Sequence, residues 1–230
     1  MEPPVTVVSF VINVASLIVV SYGLYTCTGV ELPPSLKDAG HKQFLTNLCA
    51  TFTILNDLCN IANFVAQSSG SPVHSLSFVA RHVTLPLAMG VESVVAAVYW
   101  PLRLFAMHLI FTSSADNDRC PIPLPSDLAI HLAPITFLLC DHYLSGAGTK
   151  FRISNRVASS IVLALGFGYK AYLDRLIDKD AGQAFPYPFL DVEEPKRSII
   201  AGLVTSLFML FYLLYQSKPP KSVRLPGKID

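Results

Sequence analysis

Apolar residues gather into six stretches, near residues 5–25, 44–66, 83–100, 126–144, 157–175 and 198–216, separated by short polar connections. A bilayer core of roughly 30 Å is crossed by about 20 helical residues, so each stretch is close to membrane-spanning length. The connections carry turn-forming residues: Pro33-Pro34, Ser68 to Pro72, Pro121 to Pro125, and Gly146-Ala147-Gly148. The pattern predicts an all-α, polytopic integral membrane protein, with residues 1–230 forming one six-helix transmembrane domain that ends in a polar, basic tail over 217–230. No Lys or Arg precedes the first stretch, and its apolar run exceeds a typical signal-peptide core, so it is expected to be retained as a span.

Polar residues inside such stretches must face the bundle interior or water, which makes each one a candidate for packing or for chemistry. In the second stretch, helical spacing from Thr46 brings Ala50, Thr53, Asp57 and Asn60 onto one face. In the fourth, the same count from His131 gives Ile135, Leu138 and His142, with Asp141 beside them. These two stretches run in the same direction, and each meets its first polar group soon after it begins, so Thr46 and His131 share a layer. Eleven residues further along, a rise of roughly 16 Å, a second layer of Asp57 with His142 or Asp141 is expected, too far away to orient His131 directly. Asp57, Asp141, His142 and Glu92 therefore read as a structural polar layer.

A Thr hydroxyl becomes a nucleophile when a base takes its proton, and neutral imidazole is a common base. Thr46 and His131 supply that pair. The same residue types also serve as helix glue, Thr by bonding its own backbone and His by bridging helices, and residue type alone leaves both readings open. Asn47 and Asn13 are candidate supporting donors to a developing oxyanion, although Asn47 is turned about 100° from Thr46 around the helix.

Composition removes the soluble alternatives. Hydrophobic residues make up 52% of the chain, charged residues only 14%, and mean hydropathy is +0.48, a balance too apolar for an ordinary soluble domain. A net charge of +1 offers no basic surface for nucleic acid. G-x-S-x-G and H-E-x-x-H are absent, and the six histidines show no tight ligand spacing, so neither a metal nor another cofactor is expected. Cys49, Cys59 and Cys140 fall within spans, whereas Cys27 and Cys120 lie on one side. Six spans put both termini on the same side. Lys and Arg divide evenly between the two sides, but those on the side of the termini are undiluted by acidic residues and four of them lie in the C-terminal tail, which favours cytosolic termini.

The segment Gly40-His41-Lys42-Gln43-Phe44-Leu45-Thr46 resembles the aromatic-Leu-Thr motif of the androgen-induced and androgen-dependent membrane protein family. Glu31-Leu32-Pro33, Tyr99-Trp100, His131 with Asp141 ten residues later, and Tyr187-Pro188-Phe189-Leu190 fall in matching order, so the likeness covers nearly the whole chain. This sequence departs from the family at Lys42-Gln43, where a Trp is common, and at Leu132-Ala133, where hydroxyl residues often follow the His. The resemblance implies a six-span intramembrane threonine hydrolase of fatty acid esters of hydroxy fatty acids, with Thr46 as nucleophile and His131 as general base and acid. It further implies a lipid ester entering from the bilayer, membrane lipids as surroundings, and residence in the endoplasmic reticulum or plasma membrane. The alternative expectation is a non-enzymatic membrane regulator or scaffold whose polar stripe only joins helices. Oligomeric state is not legible.

Overall fold

A computed structural model describes residues 4–111 and 122–221, and every regular element among them is helical. Cys120, Pro121, the acidic residues Asp116 and Asp118, and the tail beyond 221 lie outside the described residues. In chain order the helices are α1 (Val7–Thr28), α2 (Pro34–Lys37), α3 (Leu45–Ser68), α4 (His74–Phe78), α5 (Leu85–Phe105), α6 (Leu124–His131), α7 (Ala133–Tyr143), α8 (Asn155–Leu176) and α9 (Lys196–Ser217).

α1 shows why these sequences belong in lipid. Its N-cap Thr6 accepts a hydrogen bond from the Ser9 amide at 3.0 Å. Its buried stripe is then Ser9, Asn13, Ser16, Val20, Gly23 and Cys27, returning every three or four residues, while Val7, Val11, Ile18 and Tyr25 face outward. In water that polarity would be reversed. α3 repeats the arrangement: Thr46, Thr53, Asn56, Asp57, Asn60 and Asn63 are buried, and Leu55, Leu58 and Val65 are exposed. Apolar surface turned outward and polar groups paired inward fit an integral membrane protein.

Four helices are long and apolar enough to cross a membrane: α1, α3, the run His74–Phe105 through α4 and α5, and α9. The pair α6 and α7, bent by 43°, makes a fifth if the two halves form one span. The bend has a local cause. Pro134 in the first turn of α7 has no N–H for the carbonyl four residues back, so the ladder breaks at Leu132 and α6 ends on His131. The expected fifth span, 157–175, coincides with α8, which has the length, at 22 residues, but is not among the sufficiently apolar helices; it carries Arg156, Lys170, Asp174 and Arg175. The third span is also longer than expected at 32 residues, because a π-helical turn over Val79–Thr84 joins α4 to α5 without a break.

α1 packs on α3, α6 and α7, α5 lies against α3, α7 and α9, and α8 leans on α9. The main apolar core joins Leu85 and Met89 of α5 to Leu138 of α7, Val162 of α8, and Phe208 and Tyr212 of α9. Close approach of α1 and α6 depends on Gly23, where an added Cβ would lie 3.0 Å from the Ala129 carbonyl carbon and 3.1 Å from the Ile130 nitrogen. These are backbone atoms and cannot swing aside. Gly23→Val is expected to cost about 1–3 kcal/mol, read as a lowered unfolding temperature in detergent; an unchanged transition would mean that the two helices are not packed this closely.

Candidate functional site

The turn before α3 is held from inside. Gln43 is fully buried and donates through Nε2 to the carbonyls of Leu36 and Gly40, both at 2.9 Å, while Tyr169 O–H donates to the Gln43 carbonyl at 2.8 Å. Gly40, at φ 63°, supplies the left-handed backbone conformation that the turn needs. Thr46 follows in the first turn of α3, 8% exposed, in the wall of a cavity of about 160 Å³. Cys49, Val98, Tyr99, Tyr187 and Phe208 share that wall, which is overwhelmingly apolar. Tyr187 stands beside Thr46 in that wall. Burial pushes this phenol up to about 12, against an opposing pull from Thr46, so it keeps its proton.

At the cavity rim, Lys170 contacts Asp174 at 2.8 Å and Glu194 at 2.9 Å, and Arg197 contacts the same two carboxylates at 3.4 and 3.2 Å. Outside the helices, the Ser198 hydroxyl and then Lys170 hold the Glu194 carboxyl down to about 2. These pairs tie α8 to α9 in an exposed setting, where such contacts contribute little to stability.

His131 closes α6 and is 6% exposed. Its Nδ1 lies 2.8 Å from Asp127 Oδ1, one helical turn earlier. Tyr99 O–H donates to the same carboxylate at 2.5 Å, and Arg103 Nε lies 2.8 Å from Asp127 Oδ2. The Tyr99 and His131 rings stack at 3.5 Å, 3° from parallel, and Trp100 Nε1 donates to the His131 carbonyl at 3.2 Å. Three residues at the end of α5 therefore grip one turn of α6.

Thr46 and His131 share no direct hydrogen bond, and His131 stands outside the cavity wall, behind Tyr99, whose ring belongs to that wall. Ala50, one turn beyond Thr46, and Ile130, next to His131, meet in one packed cluster with Val20 and Cys27. Sequence reasoning missed Asp127, Tyr99 and Arg103 as partners of His131. The signal was present as two helical i, i+4 spacings, Asp127 to His131 and Tyr99 to Arg103.

The polar layer forms a separate network. Arg81 Nη1 pairs with Asp141 Oδ2 at 2.6 Å; Ser9 O–H donates to Asp141 Oδ1 at 2.5 Å and accepts from Arg81 Nη2 at 2.8 Å. Glu92 accepts from Thr53 at 2.9 Å, and Asp57 is buried in the same layer. His142 rests between the rings of Tyr143 and Phe151, at 4.6 and 4.8 Å. Arg81, just outside the expected stretch 83–100, is only 3% exposed. The π-helical turn draws it inward, and the Asp141 carboxylate compensates its burial. Neither amide expected near the nucleophile is free for it. Asn47 Nδ2 donates to the His41 carbonyl at 2.9 Å, and Asn13 Nδ2 donates to the Ser9 carbonyl at 2.8 Å within the polar layer.

A model of the FAR-17a/AIG1-like protein family matches residues 8–219. The UPF0641 membrane protein YHR140W of Saccharomyces cerevisiae is 47% identical over 221 residues, covering 94% of this chain and 92% of its own length. The UPF0641 membrane protein PJ4664.05 of Schizosaccharomyces pombe is 23% identical over 194 residues, covering 79% of this chain and 80% of its own. No solved structure matches significantly.

Proposed function

The chain belongs to the FAR-17a/AIG1-like family, and from that membership we propose that it is an intramembrane hydrolase of lipid esters. Thr46 is its nucleophile and His131 its base, as the resemblance drawn from the sequence implies. The observation that carries this reading is the position of Thr46: a hydroxyl in the wall of an apolar cavity that also includes Tyr99, against which His131 stacks with its Nδ1 already engaged. Apolar lining suits acyl chains, which contribute about 0.8 kcal/mol per buried methylene.

In the proposed sequence, Thr46 Oγ1 attacks the ester carbonyl as its proton passes to His131 Nε2. The tetrahedral intermediate collapses, and the leaving hydroxyl takes that proton. Water then gives a proton to His131 and attacks the acyl-threonine, which releases a fatty acid and restores the Thr46 hydroxyl. Tyr187, a protonated phenol beside Thr46 in the cavity wall, is the oxyanion donor in this scheme, in place of Asn47 or Asn13. Because Tyr99 lies between His131 and the cavity, productive binding brings the imidazole edge and Thr46 together past the margin of the Tyr99 ring. Fatty acid esters of hydroxy fatty acids are the substrates in this proposal, and the endoplasmic reticulum or plasma membrane, with cytosolic termini, is the setting.

The direct test is labelling of purified protein by an acylating probe directed at activated hydroxyls. Wild type is expected to react at Thr46, and Thr46→Ala and His131→Ala, each shown to be folded, are expected not to. Unreactive wild type, or equal labelling of Thr46→Ala, would overturn the hydrolase.

A further inference from the structure

Asp127 is fully buried, yet three donors converge on its carboxylate: His131 Nδ1 at 2.8 Å, Tyr99 O–H at 2.5 Å and Arg103 Nε at 2.8 Å. A carboxylate taken out of water persists as an ion only when such groups replace its hydration. Donation from Nδ1, to this carboxylate and to the Asp127 backbone carbonyl at 3.2 Å, requires the imidazole proton to be on that nitrogen. The ring cannot easily turn to offer the other nitrogen instead, because Tyr99 covers its face at 3.5 Å and Trp100 holds its backbone carbonyl at the helix break. Each constraint leaves the same atom, Nε2, as the one with a lone pair to accept a proton.

We propose that Asp127 is the positioning residue of this site, fixing His131 in the Nδ1–H tautomer, with Tyr99 and Arg103 holding the carboxylate in place. The inference rests on the hydrolase reading for its catalytic meaning, but its structural content stands apart from any substrate. Asp127 does not touch the reacting atoms. It acts through His131, as a carboxylate does wherever it orients a catalytic imidazole. A purely structural Asp127, pinning α6 to α5, would need Arg103 and Tyr99 but would be indifferent to which imidazole nitrogen carries the proton.

Two readouts separate these roles. Nitrogen-15 NMR of histidine-labelled protein in lipid nanodiscs, assigned with His131→Gln, is expected to show wild-type His131 protonated at Nδ1, and Asp127→Asn to lose that preference. With a long-chain ester of a hydroxy fatty acid, Asp127→Asn is expected to lower kcat on the order of 10²–10⁴-fold with KM within about threefold. Arg103→Gln, which leaves the Asp127–His131 bond, is expected to keep the tautomer and lose far less turnover. An Nε2–H tautomer in wild type overturns the proposal even if the Asn variant fails to fold. So does folded Asp127→Asn with an unchanged tautomer, or with kcat within threefold of wild type. Wild type that hydrolyses no ester overturns the hydrolase reading instead, and the tautomer comparison, which needs no substrate, still decides the role of Asp127.

Discussion

Thr46→Val is expected to lower ester hydrolysis at least about a thousandfold, whereas Thr46→Ser keeps measurable turnover. Valine preserves the β-branched shape of threonine and its fit in the first turn of α3, and removes only the oxygen. Serine keeps the oxygen and loses a methyl group. If Thr46 attacks the carbonyl, activity follows the hydroxyl; if it only packs, activity follows the shape and the two variants exchange ranks. Loss of a nucleophile typically removes nearly all catalysis beyond what binding and oxyanion stabilisation supply, which sets the expected size. The measurement is initial rate per folded protein in nanodiscs, and hydrolysis by Thr46→Val at the wild-type rate would exclude nucleophilic catalysis by this residue.

The second large effect concerns stability. Arg81→Leu strands the Asp141 carboxylate and Ser9 hydroxyl inside the bundle with their shared donor removed. Removing one partner of a buried ion pair typically costs about 3–5 kcal/mol, because the remaining charge is left uncompensated. The double replacement Arg81→Leu with Asp141→Leu is expected to recover much of that loss. Denaturant titration in mixed micelles measures both. A single variant as stable as wild type would mean that water reaches the layer and solvates Asp141.

The polar layer was legible in the sequence because membrane helices expose their logic through periodicity: Thr46, Thr53, Asp57 and Asn60 recur at helical spacing, and all four are buried. Their cross-helix partners were not. Which residue answers Asp141 depends on where α4 and α5 are joined, and the π-helical turn that turns Arg81 inward leaves no mark that hydropathy can read. His131 stood out as the histidine near the start of an apolar stretch. Its immediate partner, Asp127, was passed over because it was grouped with the acidic residues of a loop, although four-residue spacing within a helix would have paired them. The break at Leu132 was likewise written into the sequence as Pro134, but a continuous apolar stretch from 126 to 144 hid it. The fold class followed from composition and period. The shape of the site depended on two local departures from the regular helix.

The weak apolarity of α8 bears on how the protein is made. Arg156, Lys170, Asp174 and Arg175 would each be costly to move into lipid individually. α9, 22 residues long and strongly apolar, has no such barrier, and it is joined to α8 by packing and by the Lys170–Glu194 and Arg197–Asp174 contacts near the connecting loop. During synthesis, α8 leaves the ribosome before its partner exists. α8 alone is therefore expected to be a poor membrane anchor, and the part of the Thr46 cavity wall that Val162, Gly166, Tyr169 and Leu173 supply is expected to form only once α9 is present to hold it.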